Sequence, residues 1–180
     1  MDELSDIRGR GDVREGSRTL SLDADEFAGV ERAIESGYDR WVGAAVTDDD
    51  GRVLFVENGW SDGWIVPGGD REIRRVSEPA GDDCGETIEP AETLEEAAVR
   101  EVAEETGVAV ELDRPLAVER QTFAHDGDDV SGWFVLFGGR AAEPTISDDL
   151  GVDGETIRDA RWFAELPETP YRDDIESFRD

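Results

Sequence analysis

The stretch Arg100-Glu101-Val102-Ala103-Glu104-Glu105-Thr106-Gly107-Val108, preceded by Glu92, holds the residue types and spacings best suited to chemistry in this chain. At about 100° per residue, Glu101, Glu104 and Glu105 share one arc of a helix roughly 100° wide. Leu94, Ala97 and Ala98 fall on the same side one or two turns earlier, while Val99 and Val102 point elsewhere. An amphipathic helix ordinarily sets its acids opposite its apolar stripe, so three carboxylates continuing a small-residue face break the pattern. They repel one another and sit at the negative end of the helix dipole. A bound hard cation offsets both effects, and an all-oxygen ligand set suits Mg²⁺ or Mn²⁺. The competing reading is a solvated acidic face, the ordinary meaning of three glutamates in so acidic a chain.

These side chains need a helix and a strand to hold them. The spacing predicts a helix over 92–106 with Gly107 as its stop. Trp64-Ile65-Val66 reads as a short strand ended by Pro67-Gly68-Gly69, and residues 70–86 lose all periodicity, as a surface excursion would. Two apolar runs, 41–46 and 53–56, flank Asp48-Asp49-Asp50-Gly51 and read as a β-hairpin. Further strands are expected at 108–112, 116–124, 132–141 and 160–163, the second and third joined across the turn at 126–129. Asp23 can cap a short helix bearing Phe27, Val30 and Ile34, with Gly37 ending it, and Ile175 with Phe178 suggests a terminal helical turn. Residues 1–20 read as a loose polar tail. The division expected is therefore 1–38, tail and short helix, and 39–180, one domain with a loop insertion at about 70–86. Strands mixed with few helices place the fold in the α/β (α+β) class.

Composition narrows the functional classes. The chain has 180 residues, with 47 acidic and 18 basic side chains and a formal charge of −29; every basic residue apart from His125 is arginine. Such a charge repels phosphate backbones and anionic lipid, which disfavours nucleic-acid and membrane-surface binding. Five tryptophans and seven phenylalanines argue for a packed core over disorder. The acid excess fits a halophile's cytoplasmic protein, since molar salt shortens the Debye length to roughly 3 Å. The single cysteine, Cys84, excludes an internal disulfide and fits a reducing compartment. No opening segment has the length and apolarity of a signal peptide or membrane span, so a cytoplasmic location is expected.

Glu92, seven residues, then Arg100-Glu101-Val102-x-Glu104-Glu105-x-Gly107-Val108 resembles the Nudix box of Nudix hydrolases. The upstream Trp64-Ile65-Val66-Pro67-Gly68-Gly69 is similar to the strand and double glycine that open that box. In this chain 22 residues separate Gly69 from Glu92, where the family has five. Excising 70–86 restores the spacing, which marks those 17 residues as an insertion into the first loop of the box. Gly85 is the rival for the glycine role. The resemblance covers 41 to about 167 and implies a Nudix-type α/β/α sandwich with a mixed β-sheet. It also implies hydrolysis of a nucleoside diphosphate linked to another moiety.

By that resemblance, Glu101, Glu104 and Glu105 are metal ligands with the Gly69 carbonyl, and Mg²⁺ (or Mn²⁺) is the cofactor. Arg100 orients a carboxylate through paired hydrogen bonds, and Glu92 supports the same group or serves as a helix-terminal acid. The general base is a box glutamate, Glu104 or Glu105, or an acid on a distant loop. Glu155 is the distal choice, with Asp153 and Glu143 as competitors. Trp64, Phe123 and Trp133 are the aromatic surfaces available to stack a base. The expected partner is a small-molecule nucleotide, and a homodimer is compatible with the sequence. The alternative reading is a nucleotide-binding sensor of the same fold, its site reshaped by the insertion.

Overall fold

A computed structural model describes residues 2–59, 61–77, 86–152, 154 and 156–180. In chain order the elements are α1 (Glu3–Arg8), β1 (Arg14–Ser21), α2 (Ala24–Glu35), β2 (Arg40–Thr47), β3 (Val53–Asn58), β4 (Gly68–Asp70), β5 (Ile73–Ser77), β6 (Glu86–Pro90), α3 (Leu94–Thr106), β7 (Val110–His125), β8 (Asp128–Ala141), β9 (Ile157–Phe163) and α4 (Arg172–Arg179). Seven strands form one mixed sheet in the order β1-β7-β8-β2-β3-β9, with β4 also paired to β2. The pairs β1·β7 and β2·β8 are parallel, and the other pairs in this sheet are antiparallel.

Period-two alternation along β2 divides the core between the two faces of the sheet. Val42, Ala44 and Val46 point toward α1 and α3, in clusters with Leu4, Ile7, Leu94, Ala97 and Val102. Ala45 points the other way, into a cluster with Phe55, Leu136, Tyr171 and Ile175 that α4 helps to close. The result is an α/β/α sandwich of the α+β class. Beneath Tyr171, a polar knot joins three strands: Arg18 and Gln121 both donate to Glu119 Oε1, at 2.6 and 2.9 Å, and the Trp41 indole donates to Gln121. Among the described residues no helix is long and apolar enough to cross a membrane.

Local chemistry accounts for the elements that hold the site. Thr93 and Glu96 form a reciprocal capping box at the start of α3, and Gly107, at φ 72°, ends it in the left-handed conformation. Asp126 and Gly127 both have positive φ, 51° and 95°, the geometry a two-residue hairpin turn requires between β7 and β8.

Several expectations are corrected. Residues 1–20 are not a loose tail: α1 buries Leu4 and Ile7, and β1 runs parallel to β7 through eight partners. Of the two expected segments, 110–112 and 116–124 belong to one strand, β7, while Val108 and Ala109 precede it; its register is irregular at Leu112/Arg114 and Pro115/Ala117, where proline removes a donor. Val102 is fully buried on the face shared with Leu94 and Ala97, while Val99 alone turns outward. The excursion after Gly69 has regular structure. β5 and β6 pair from Ile73↔Pro90 to Ser77↔Glu86, and the Ala91 amide donates to the Glu72 carbonyl at 2.9 Å. Its neck therefore lies at Glu72 and Ala91, not at 70 and 86. Cys84 and Gly85 lie outside the described residues.

Candidate active site

The site forms where β4 passes beneath the second half of α3. β4 pairs with β2 through Val42↔Gly69 and Gly43↔Gly68, so two consecutive glycines bring the backbone close to the helix. A Cβ on Gly68 would collide with the Val42 carbonyl. One on Gly69 would come within 2.6 Å of the Glu101 carboxyl carbon. The Gly68 amide donates to Glu105 Oε2 at 2.9 Å. Glu101 and Glu105 are only 5% and 4% exposed, continuing the buried face of Leu94, Ala97 and Ala98.

Arg100 gathers the remaining groups. Its Nε donates to Glu92 Oε2 at 3.0 Å and its Nη2 to Glu92 Oε1 at 2.7 Å. Nη1 donates to Glu101 at 2.9 Å and to Glu104 at 3.0 Å, while Nη2 also reaches the Asp70 carbonyl at 2.9 Å. A guanidinium has five N–H donors, and all five are engaged. The hydrogen bonds to Glu92, followed by the charge of Glu101, push the Arg100 pKa up, so the group stays charged. Burial pushes the Glu92 carboxyl upward. The Arg100 hydrogen bonds and the Glu72 amide outweigh that effect and hold Glu92 below the usual carboxylate range.

The structure thus brings together Gly69, Arg100, Glu101, Glu104 and Glu105. It adds three backbone groups that no side-chain pattern announced: the Gly68 amide, the Glu72 amide and the Asp70 carbonyl. The aromatic candidates are dispersed. Trp64 packs on Phe163 with ring centres 4.9 Å apart and carries the Arg161 guanidinium over its face. Phe123 packs on Trp41 at 5.8 Å. Trp133 lies beneath the Arg8 guanidinium, against the cluster shared by α1 and α3. Glu143 is exposed beyond β8, and Asp153 and Glu155 lie outside the described residues.

Carboxylate and carbonyl oxygens, with no imidazole or thiolate among them, fit a hard divalent cation in type. The two buried glutamates end a helix whose last turn has no basic residue, and Glu101 rests against a glycine. As the side chains stand, Arg100 holds Glu101 and Glu104, and no three acidic, histidine or cysteine side chains among the described residues converge as a metal group.

The two glycines give a paired prediction. Gly69→Ala should leave the fold intact, because the obstructing atoms are the far end of the Glu101 side chain and not backbone, yet lower kcat about ten- to a hundredfold by displacing that carboxylate from its Arg100 contact. Gly68→Ala meets rigid backbone and should cost about 3 kcal/mol of stability. Thermal unfolding and turnover of the two variants, measured side by side, check the contrast; equal stability losses would contradict it.

A family model described as the NUDIX domain matches residues 37–168. No curated protein matches the chain. Among solved structures, the chain is similar to an ADP-ribose pyrophosphatase from Streptococcus suis, at 16% identity and TM-score 0.51, covering 79% of this chain and 93% of that one. That likeness concerns the fold alone. A MutT NUDIX hydrolase from Burkholderia pseudomallei matches at 25% identity and TM-score 0.49, over 77% of this chain and 95% of that one. A UDP-X diphosphatase matches at 22% identity and TM-score 0.49, over 83% of this chain; the match spans 64% of that protein's length.

Proposed function

The chain belongs to the NUDIX family, and on that basis we propose that it is a hydrolase of nucleotide-linked pyrophosphates, cleaving a nucleoside diphosphate joined to a further moiety with Mg²⁺ or Mn²⁺. Glu101, Glu104, Glu105 and the Gly69 carbonyl are the groups that would hold the cation. The observation that carries this reading is the Arg100 guanidinium, whose five donors fix Glu92, Glu101, Glu104 and the Asp70 carbonyl in one arrangement. When bound, the cation neutralises phosphate oxygens and makes a water molecule more acidic.

The chain's own residues do the rest. Arg100 fixes the Glu101 and Glu104 carboxylates from a single nitrogen, so neither turns without disturbing the other. The Gly68 amide fixes Glu105 from the strand side. Glu104, at 31% side-chain exposure, is the most open of the three and best placed to pass a proton to solvent. Glu104 and Glu105 are accordingly the proposed bases within the helix, and Glu155 stays the proposed distal one. Trp64 is the preferred base-stacking surface, because it sits four residues before Gly68 with one face already under a guanidinium. The acidic, lysine-free composition supports a cytoplasmic protein working in high salt.

The test is product release from nucleoside-diphosphate sugars, dinucleoside polyphosphates and nucleoside triphosphates in molar KCl, with Mg²⁺, with Mn²⁺ and with chelator. Turnover that requires metal and yields a nucleotide cleaved within the pyrophosphate is the expected result. A folded protein inactive on every substrate with either metal would refute the proposal.

A further inference from the structure

The segment before residue 37 lies outside the matched family region, yet it is joined to the helix that carries the glutamates. Leu4 and Ile7 of α1 pack in the same apolar cluster as Leu94, Ala97 and Ala98, the first two turns of α3. A polar contact accompanies the packing. Glu3 Oε1 accepts a 2.9 Å hydrogen bond from the Leu94 amide, at the first residue of α3. First-turn amides of a helix have no partner within the helix. The capping box engages the amides of Thr93 and Glu96, so Glu3 serves a donor that the box leaves over.

The other oxygen of Glu3 faces Arg71 Nη1 at 3.9 Å. Arg71 directly follows β4, its amide is bonded to the Arg40 carbonyl, and its buried Nε has no hydrogen-bond partner. Its charge also favours the ionised form of Glu92. Glu92 in turn is gripped by Arg100, which holds Glu101 and Glu104. Charges of alternating sign therefore line the way from α1 to the glutamate face: Glu3, Arg71, Glu92, Arg100, then Glu101 and Glu104. The firm links are the Glu3–Leu94 hydrogen bond at the start of α3 and the Arg100 hydrogen bonds to Glu92, Glu101 and Glu104, with Arg71 acting between them by charge, so a shift at Glu3 moves the helix that carries the carboxylates.

We infer that α1 is a positioning element of the active site, with Glu3 and Arg71 setting the seat of α3 and, through Glu92 and Arg100, the orientation of Glu101 and Glu104. The inference rests on the proposed function, since it assigns a support to that same site. Glu3 touches neither substrate nor reacting atoms in this account; it acts through the residues between.

Two variants test it. Glu3→Gln keeps an acceptor for the Leu94 amide and removes the charge facing Arg71; Glu3→Ala removes both. Turnover, KM and Mn²⁺ affinity, the last by calorimetry on the whole protein, are read at a temperature where each variant is fully folded. Glu3→Ala is expected to lower kcat about tenfold with KM unchanged and to weaken Mn²⁺ binding severalfold, with Glu3→Gln intermediate. A lower melting temperature with kcat and Mn²⁺ affinity unchanged in both variants would overturn the inference, leaving α1 as packing only. Should Glu3→Ala fail to fold, Glu3→Gln decides by the same criteria. The unaltered protein in the same assays separates the two failures. An active parent with unaffected variants sinks this inference alone, whereas a parent that neither turns over nor binds Mn²⁺ sinks the proposed function with it.

Discussion

Exchange of Glu105 for glutamine is expected to lower kcat by at least about a hundredfold while leaving the protein as stable as before, or more so. The two signs have one cause. Glutamine has nearly the shape of glutamate, and its amide oxygen can still accept the Gly68 N–H that holds Glu105 from β4. What is lost is a negative charge at a site 4% exposed, on a helix face shared with Glu101 and Glu104. That charge is unfavourable in the folded chain by itself, through desolvation, like-charge repulsion and the C-terminal end of the helix dipole. A carboxylate kept only for structure would show the opposite pattern, with stability falling and turnover held. Glu104→Gln should match the activity loss with a smaller change in stability, because Glu104 is closer to solvent. Turnover and thermal unfolding of the two variants in molar KCl decide the matter. Near-normal activity in both would end their assignment to the site.

How much could be read before the structure was known depended on whether the deciding contacts were local. The helix carrying the glutamates was legible because its spacing is local and Gly107 ends it, although its first residue is Leu94, set by the Thr93–Glu96 capping box, and not Glu92. The β7–β8 hairpin was legible for a similar reason, since its turn chemistry lies in four adjacent residues. β1 was not. Arg-Glu-Gly-Ser-Arg-Thr-Leu-Ser has no apolar alternation, and it is a strand because β7, about a hundred residues away, supplies hydrogen bonds along its whole length. α1 offered two apolar residues three apart, too little for a periodic signal.

The excursion after Gly69 was obscure for a different reason. Its two arms meet through cross-strand ion pairs, Arg74 with Glu89 and Arg75 with Glu86, where period-two reasoning looks for apolar residues. Keeping 70–72 with 90–91 removes 17 residues, as many as the spacing argument did, but at 73–89. Within the site, the shared arc of Glu101, Glu104 and Glu105 follows from helix geometry alone. The Gly68, Glu72 and Asp70 backbone contacts do not, because they depend on where β4 runs relative to α3.

Arg100→Lys is expected to cost activity out of proportion to the charge it keeps. Lysine carries the same unit charge, but three donors on one nitrogen cannot reproduce a planar fork that meets both Glu92 oxygens, Glu101, Glu104 and the Asp70 carbonyl. At least two of those contacts open, and the carboxylates they held become free to rotate. We expect kcat to fall about ten- to a hundredfold with little change in KM, since the groups disturbed act on the reaction and not on the nucleoside. Arg100→Met goes further, leaving Glu92 and Glu101, 12% and 6% exposed at the side chain, without their counter-charge. Stripping one partner from a buried ion pair costs about 3–5 kcal/mol. Here the lower end applies, because Arg100 retains 22% exposure and salt screens what water reaches. The two variants should therefore separate geometry from charge: lysine loses turnover at nearly full stability, methionine loses both. If lysine instead matched arginine in turnover, the fork would be a means of neutralising acids and nothing more, and the reading of Arg100 as the group that orients the site would fail.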